Sequence, residues 1–144
     1  MQRKDYNGGF LVKSPAMQDY SRFTINRCLI VLLPKQPALD WIMRVDPDPP
    51  ELTLAELRQE QDAFLVKQEG MELVEDAERW VCRRWKMFFE RFLGEWYTDE
   101  SWWPKSRTQK MFKEWFDIQF HPMIWDFSDE PIQHEDWDQL IPQD

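Results

Sequence analysis

Glycine is scarce in this 144-residue chain, which has four in all. Phosphate-cradling loops and multi-strand barrels depend on turns that glycine makes cheaply, so neither is expected. The one Gly-Gly pair, Gly8-Gly9, comes before any clear strand. Cysteine is scarcer still. Cys28 falls in an apolar run, Cys82 on an expected helix, and no CxxC spacing exists. That argues against a zinc knuckle or redox motif and for two buried thiols in a reducing cytoplasm. No stretch of about 18 apolar residues occurs, so no transmembrane helix is expected. The opening "MQRKDYNGGFLVKSPAMQDY" has no continuous apolar core, so a secretory signal is not expected either, and the cytoplasm is the expected compartment.

Positive charge is also in short supply. Against 27 Asp and Glu stand 18 Lys and Arg, a net charge of -9. Nucleic-acid binding rests on cations neutralising phosphates, so this balance disfavours it, and it disfavours an anionic membrane surface as well. It fits a basic protein partner, or solubility alone.

Aromatic rings, by contrast, are abundant: 15% of residues, with nine Trp. Large rings bury much area per residue, so a few elements can close a core. The length fits one domain that buries roughly two thirds of its unfolded surface.

Along the chain, residues 1–22 show no sustained period and read as a flexible leader. "TINRCLIVLL" (Thr24 to Leu33), bounded by Pro34, reads as a buried central strand. Pro37 suits a first helical turn, and Leu39, Trp41, Ile42 and Val45 follow at helical spacing. "DPDPP" breaks the chain, and Thr53 with Glu56 then forms a capping box for a short helix. Ala63 to Gln68 reads as a second strand. From Leu73 to Trp96 the positions Ala77, Trp80, Val81, Trp85, Phe88, Phe89, Phe92 and Trp96 make one apolar face, read as a single long helix.

"SWWPKSRTQKMFKEWF" (Ser101 to Phe116) packs three tryptophans among basic residues. Ser106 with Gln109 offers a capping box, and Met111, Phe112, Trp115 and Phe116 form a stripe. Lys110–Glu114 and Lys113–Asp117 pair four apart on the other side. Most of the rings therefore read as core and the cations as a solvated face. Asp117 to Phe127 reads as an edge strand with a bulge at His121-Pro122. Beyond it, 129–144 is an acidic tail without Lys or Arg.

The expected fold is α+β. It is a two-layer sandwich of about three strands covered by helices, in the order β-α-α-β-α-α-β, with a single domain over 23–128.

The segments "INRCLIVLLPKQPALDWI" and "GEWYTDESWWPKSRTQKMFKEWFDIQFHPMIWDF" resemble a family of short, uncharacterised bacterial proteins. The shared pattern is W-P-K-x-R-T-x-x-M-F-x-x-W-F-D, here Trp103 to Asp117, and the resemblance runs from Ile25 to Pro131. It implies a bacterial source and no activity. Some members carry a VacJ label, which belongs to a lipid-transport lipoprotein. This sequence lacks the lipid-attachment cysteine near the N-terminus that such a protein needs, so lipid transport is not carried over.

Trp102, Trp103, Lys105 and Arg107 are candidate binding residues, since basic and aromatic side chains are interleaved there. His121, Asp126 and Glu130 are candidates for a mixed histidine–carboxylate site, although their spacing matches no metal signature. No G-x-S-x-G occurs. The expectation is a non-enzymatic binding module with a basic protein partner and no cofactor, one version being immunity- or inhibitor-like. The alternative is a small enzyme or metal-binding protein centred on His121 and its neighbouring carboxylates.

Overall fold

A computed structural model describes residues 22–137. The leader before Arg22 and the tail after Trp137 lie outside the described residues. Two compact units are present. One is Asn26–Ile124; the other takes its described residues, 22–25 and 125–137, from the two ends of the chain. In the second unit β1 (Phe23–Thr24) and β5 (Trp125–Asp126) form a short antiparallel ladder.

The first unit is α+β. Its central strand β2 (Arg27–Pro34) is flanked by β3 (Ala63–Lys67) and β4 (Phe116–His121), both antiparallel to it. Alternation decides the faces. Cys28, Ile30, Leu32 and Pro34 are buried, and Arg27, Leu29, Val31 and Leu33 between them are half-buried. The register puts Val66 beside Cys28 and Ile118 beside Leu32, so one face of all three strands joins the core.

The five α-helices described in the first unit follow the sequence signals closely in places. Helix α1 (Gln36–Val45) buries Ala38, Leu39, Trp41 and Ile42, with Pro37 in its first turn. Helix α2 (Leu54–Gln59) has the full capping box: Glu56 N–H donates to Thr53 Oγ1 (3.1 Å) and Thr53 N–H to Glu56 Oε1 (3.0 Å). Thr53 N–H and Thr53 Oγ1–H (2.9 Å) both donate to Glu56 Oε1 and hold the Glu56 carboxyl below its usual range.

The long helix is two helices, α3 (Val74–Cys82) and α4 (Trp85–Trp96). At the joint Arg84 leaves helical geometry (φ -118°, ψ 22°), and its N–H bonds Val81 O, three residues back. The kink lets α3 lie on β4 while α4 packs on α5 (Gln109–Trp115). A periodicity of three and four runs through the kink unbroken, which is why the sequence reads as one helix.

Helix α5 is capped by Thr108, whose Oγ1 accepts from Met111 N–H (3.1 Å), and not by Ser106. Gln109 is instead used on α3, its Nε2 donating to Cys82 O (2.9 Å). Because α5 ends at Trp115, Asp117 belongs to β4. It pairs with Lys35 (3.7 Å) and Arg58 (3.4 Å), not with Lys113. Strand β4 stops at His121 rather than bulging on to Phe127, because Pro122 has no N–H to give the ladder.

Candidate functional site

The tryptophan pair lies in a 3-10 turn (Glu100–Trp102) and the residue after it. Asp99 opens the turn, its carboxylate accepting from Ser101 N–H (3.0 Å) and Ser101 Oγ (2.7 Å), which hold it below its usual range. The Trp102 ring packs at a tilt against Tyr97 (5.0 Å), and the residue's carbonyl accepts from Trp41 Nε1 (2.9 Å). Trp103 Nε1 donates to Tyr97 O (2.8 Å). The Trp103 ring lies against α4 at Gly94, where an added Cβ would come 3.4 Å from Cζ2. Arg107 covers that ring at 5.5 Å while donating to Pro104 O (2.8 Å) and pairing with Glu90 (3.1 Å).

Trp103 and Arg107 therefore staple the loop to α4, and most of their contact surface is used inside the fold. Lys105 is exposed and makes no ion pair among the described residues. Trp102 keeps one half-buried edge in a shallow groove with Trp96, Tyr97 and Asp99.

Tyr97 anchors the same corner. Its hydroxyl donates to Ile42 O (3.0 Å), with Asp46 Oδ2 3.2 Å away. Burial first, then the Asp46 hydrogen bond and charge, push the phenol up to about 12. The folded state thus favours the neutral phenol. That stabilisation is complete below the ordinary value of 10.0 and is lost as pH rises through about 12. Urea titrations across this window should show wild type losing more stability than Tyr97→Phe. Parallel curves would mean that the hydroxyl does not couple to folding.

His121, Asp126 and Glu130 are distributed over both units. His121 is exposed opposite Leu29 on the sheet face away from the core. Asp126 and Glu130 belong to the second unit, where Asp126 Oδ1 accepts from Ser128 N–H (2.9 Å) and Ser128 Oγ from Glu130 N–H (3.1 Å). Among the described residues no three His, Cys, Asp or Glu side chains converge as a metal site would require.

The joint between α3 and α4 carries a feature that net charge conceals. Residues 79–113 hold nine of the eighteen Lys and Arg but four of the twenty-seven Asp and Glu. Arg83, Arg84, Trp85, Lys86, Met87, Glu90 and Arg91 line one shallow depression of about 730 Å³. Arg84 lies over the Trp80 ring at 4.0 Å and donates to Trp80 O (3.0 Å). Arg91 is tied to Asp62 (3.1 Å) and Glu95 (3.2 Å). Arg83 and Lys86 have no ion-pair partner among the described residues, and Met87 is 51% exposed.

The acidic groups are used differently. Glu56, Asp76 and Asp99 cap helices or turns, while Asp62, Glu90, Glu95 and Asp117 pair with cations inside the first unit. In the sequence Arg83 and Arg84 lie on the expected long helix and add two cations to those of the tryptophan loop. Both the local charge count and the outward place of Met87, opposite the Phe88–Phe89–Phe92 face of α4, can be read from the sequence; which of the cations are already paired cannot.

Compared with known proteins, the chain matches no family model, no curated protein and no solved structure. No helix among the described residues is long and apolar enough to cross a membrane.

Proposed function

We propose that the protein is a non-enzymatic binding module that docks an acidic protein segment on the α3–α4 joint. One observation carries the reading: unpaired cations, a stacked Arg84–Trp80 pair and an exposed methionine share one surface of a chain whose net charge is -9. Surface enriched in Arg, Trp and Met is the kind that protein partners bury, with charge steering the encounter.

The same geometry favours an acidic partner over the basic one that net charge suggests. Many of the acids of the first unit are engaged internally, whereas Arg83 and Lys86 stand free of ion pairs there. Both cysteines are free thiols, which fits a reducing compartment such as the cytoplasm. The resemblance of Trp103–Asp117 to an uncharacterised bacterial family adds no activity. The rings of that segment serve packing.

The test uses the full chain and a fluorescent peptide of alternating Glu and Leu, with a Lys–Leu peptide and a single-stranded oligonucleotide as controls. Saturable binding of the acidic peptide should weaken at least about tenfold in Arg83→Glu/Lys86→Glu. Equal binding by that variant, or tighter binding of either control, overturns the proposal.

A further inference from the structure

A second concavity, of about 540 Å³, lies between α3, α5 and β4 beside the start of α1. It is independent of the α3–α4 joint. Its floor is apolar: the buried rings of Phe112 and Phe116 lie behind it, and the half-buried Ile118 continues the floor along β4. Its rim carries charge of both signs from three elements, Glu78 and Arg79 on α3, Lys113 on α5, and Asp117 on β4, with Lys35 at the head of α1.

Most of these charges are already committed. Lys35 faces Asp117 (3.7 Å), Asp117 also meets Arg58 (3.4 Å), and Arg79 is held by Asp76. Asp76 is itself fixed, since it accepts from the N–H groups of Leu73 (2.9 Å) and Glu72 (3.1 Å) at the start of α3. Glu78 and Lys113 make no ion pair among the described residues, with each other or with a neighbour. The cleft thus holds one uncommitted carboxylate and one uncommitted ammonium above an aromatic floor.

A ligand that satisfies all three features carries a cation and an anion a few bonds apart and an apolar body between or beside them. We propose that the cleft binds a small zwitterion of the α-amino acid class with an aromatic or branched side chain. Its carboxylate meets Lys113, its ammonium meets Glu78, and its side chain lies on Phe112, Phe116 and Ile118. A few convergent polar groups over an apolar wall, in a cavity of a few hundred Å³, is how small-molecule sites are commonly built. Both charged groups are exposed, so screening keeps each contact weak, and selectivity comes from meeting both at once.

Cys82 lies in the same wall and is half-buried, whereas Cys28 is fully buried, so a thiol reagent reports on the cleft. The experiment titrates the full chain with L-phenylalanine, phenethylamine (no carboxylate) and N-acetyl-phenylalanine (no ammonium). Binding is followed by calorimetry and by the rate of Cys82 alkylation. L-phenylalanine should bind at least about tenfold tighter than either analogue and slow the alkylation; Glu78→Gln should remove most of its preference over N-acetyl-phenylalanine, and Lys113→Gln most of its preference over phenethylamine. Both positions are exposed, so neither change should disturb folding, and far-UV circular dichroism checks that. No saturable binding of L-phenylalanine below about 10 mM, or equal binding of the three compounds, overturns the proposal. None of these outcomes depends on whether an acidic peptide docks at Arg83 and Lys86.

Discussion

Replacing Phe89 by alanine is expected to lower the free energy of unfolding by about 3–5 kcal/mol, the range for removing a buried aromatic side chain. Phe89 is fully buried on α4. Its ring meets Trp115 at 5.1 Å, Phe112 at 5.8 Å and Phe116 at 5.8 Å, all at steep angles, and Trp85 at 6.5 Å. Three of those partners belong to α5 and the first residue of β4, so this one side chain joins α4 to two other elements. Edge-to-face contacts of this kind add about 0.5–1.5 kcal/mol beyond area alone. Phe89→Leu should lose less than the alanine variant because it leaves a smaller void, and Met87→Ala, at a half-exposed position on the same helix, should fall within about 0.5 kcal/mol of wild type. Urea unfolding of the three variants measures this. A Phe89→Ala loss below about 1 kcal/mol would mean that α4 presents a different face to the core.

The face of α4 was legible in the sequence because helical periodicity is a local property. Steps of three and four among Phe88, Phe89 and Phe92 need nothing from the rest of the chain. The Thr53–Glu56 box was legible for the same reason, both partners lying within one turn. The central strand was marked by its β-branched and leucine run, although its start moved from Thr24 to Arg27 because Thr24 pairs with Trp125 instead. That pairing joins residues a hundred positions apart, and no local pattern encodes it. The kink at Arg83–Arg84 was hidden because the same period continues on either side.

The candidate site was less legible, for a related reason. A tryptophan beside an arginine has the same composition whether it stacks a ligand or staples a loop. Trp103 and Arg107 staple, and only the contacts with Gly94, Tyr97 and Glu90 distinguish the two roles. Glu78, Lys113 and Lys35 come together only through the packing of α3, α5 and β4, so no spacing could have grouped them. Residue counts along the chain came closer, since the concentration of cations over 79–113 can be counted without a structure. What counting cannot show is which cations are already paired.

Trp41→Ala should match or exceed the cost of Phe89→Ala, about 3–5 kcal/mol from the lost ring, with a further contribution from the hydrogen bond. Trp41 is 1% exposed on α1 and touches Tyr97 at 5.3 Å, Trp115 at 6.0 Å and Phe92 at 6.2 Å. Its Nε1–H reaches the Trp102 carbonyl at 2.9 Å, tying α1 to the tryptophan loop across 61 positions of sequence. Trp41→Phe separates the two contributions. It keeps much of the ring packing but removes the donor, and leaving a part-buried carbonyl unpaired costs about 1–3 kcal/mol. Calorimetry should therefore rank wild type, Trp41→Phe and Trp41→Ala in falling stability. Amide exchange should quicken around Ser101–Trp103 in both variants, because the loop loses the same anchor in each. If Trp41→Phe leaves loop exchange at the wild-type rate, water replaces the indole at the Trp102 carbonyl, and the Trp103–Arg107 staple on α4 is sufficient to hold the loop.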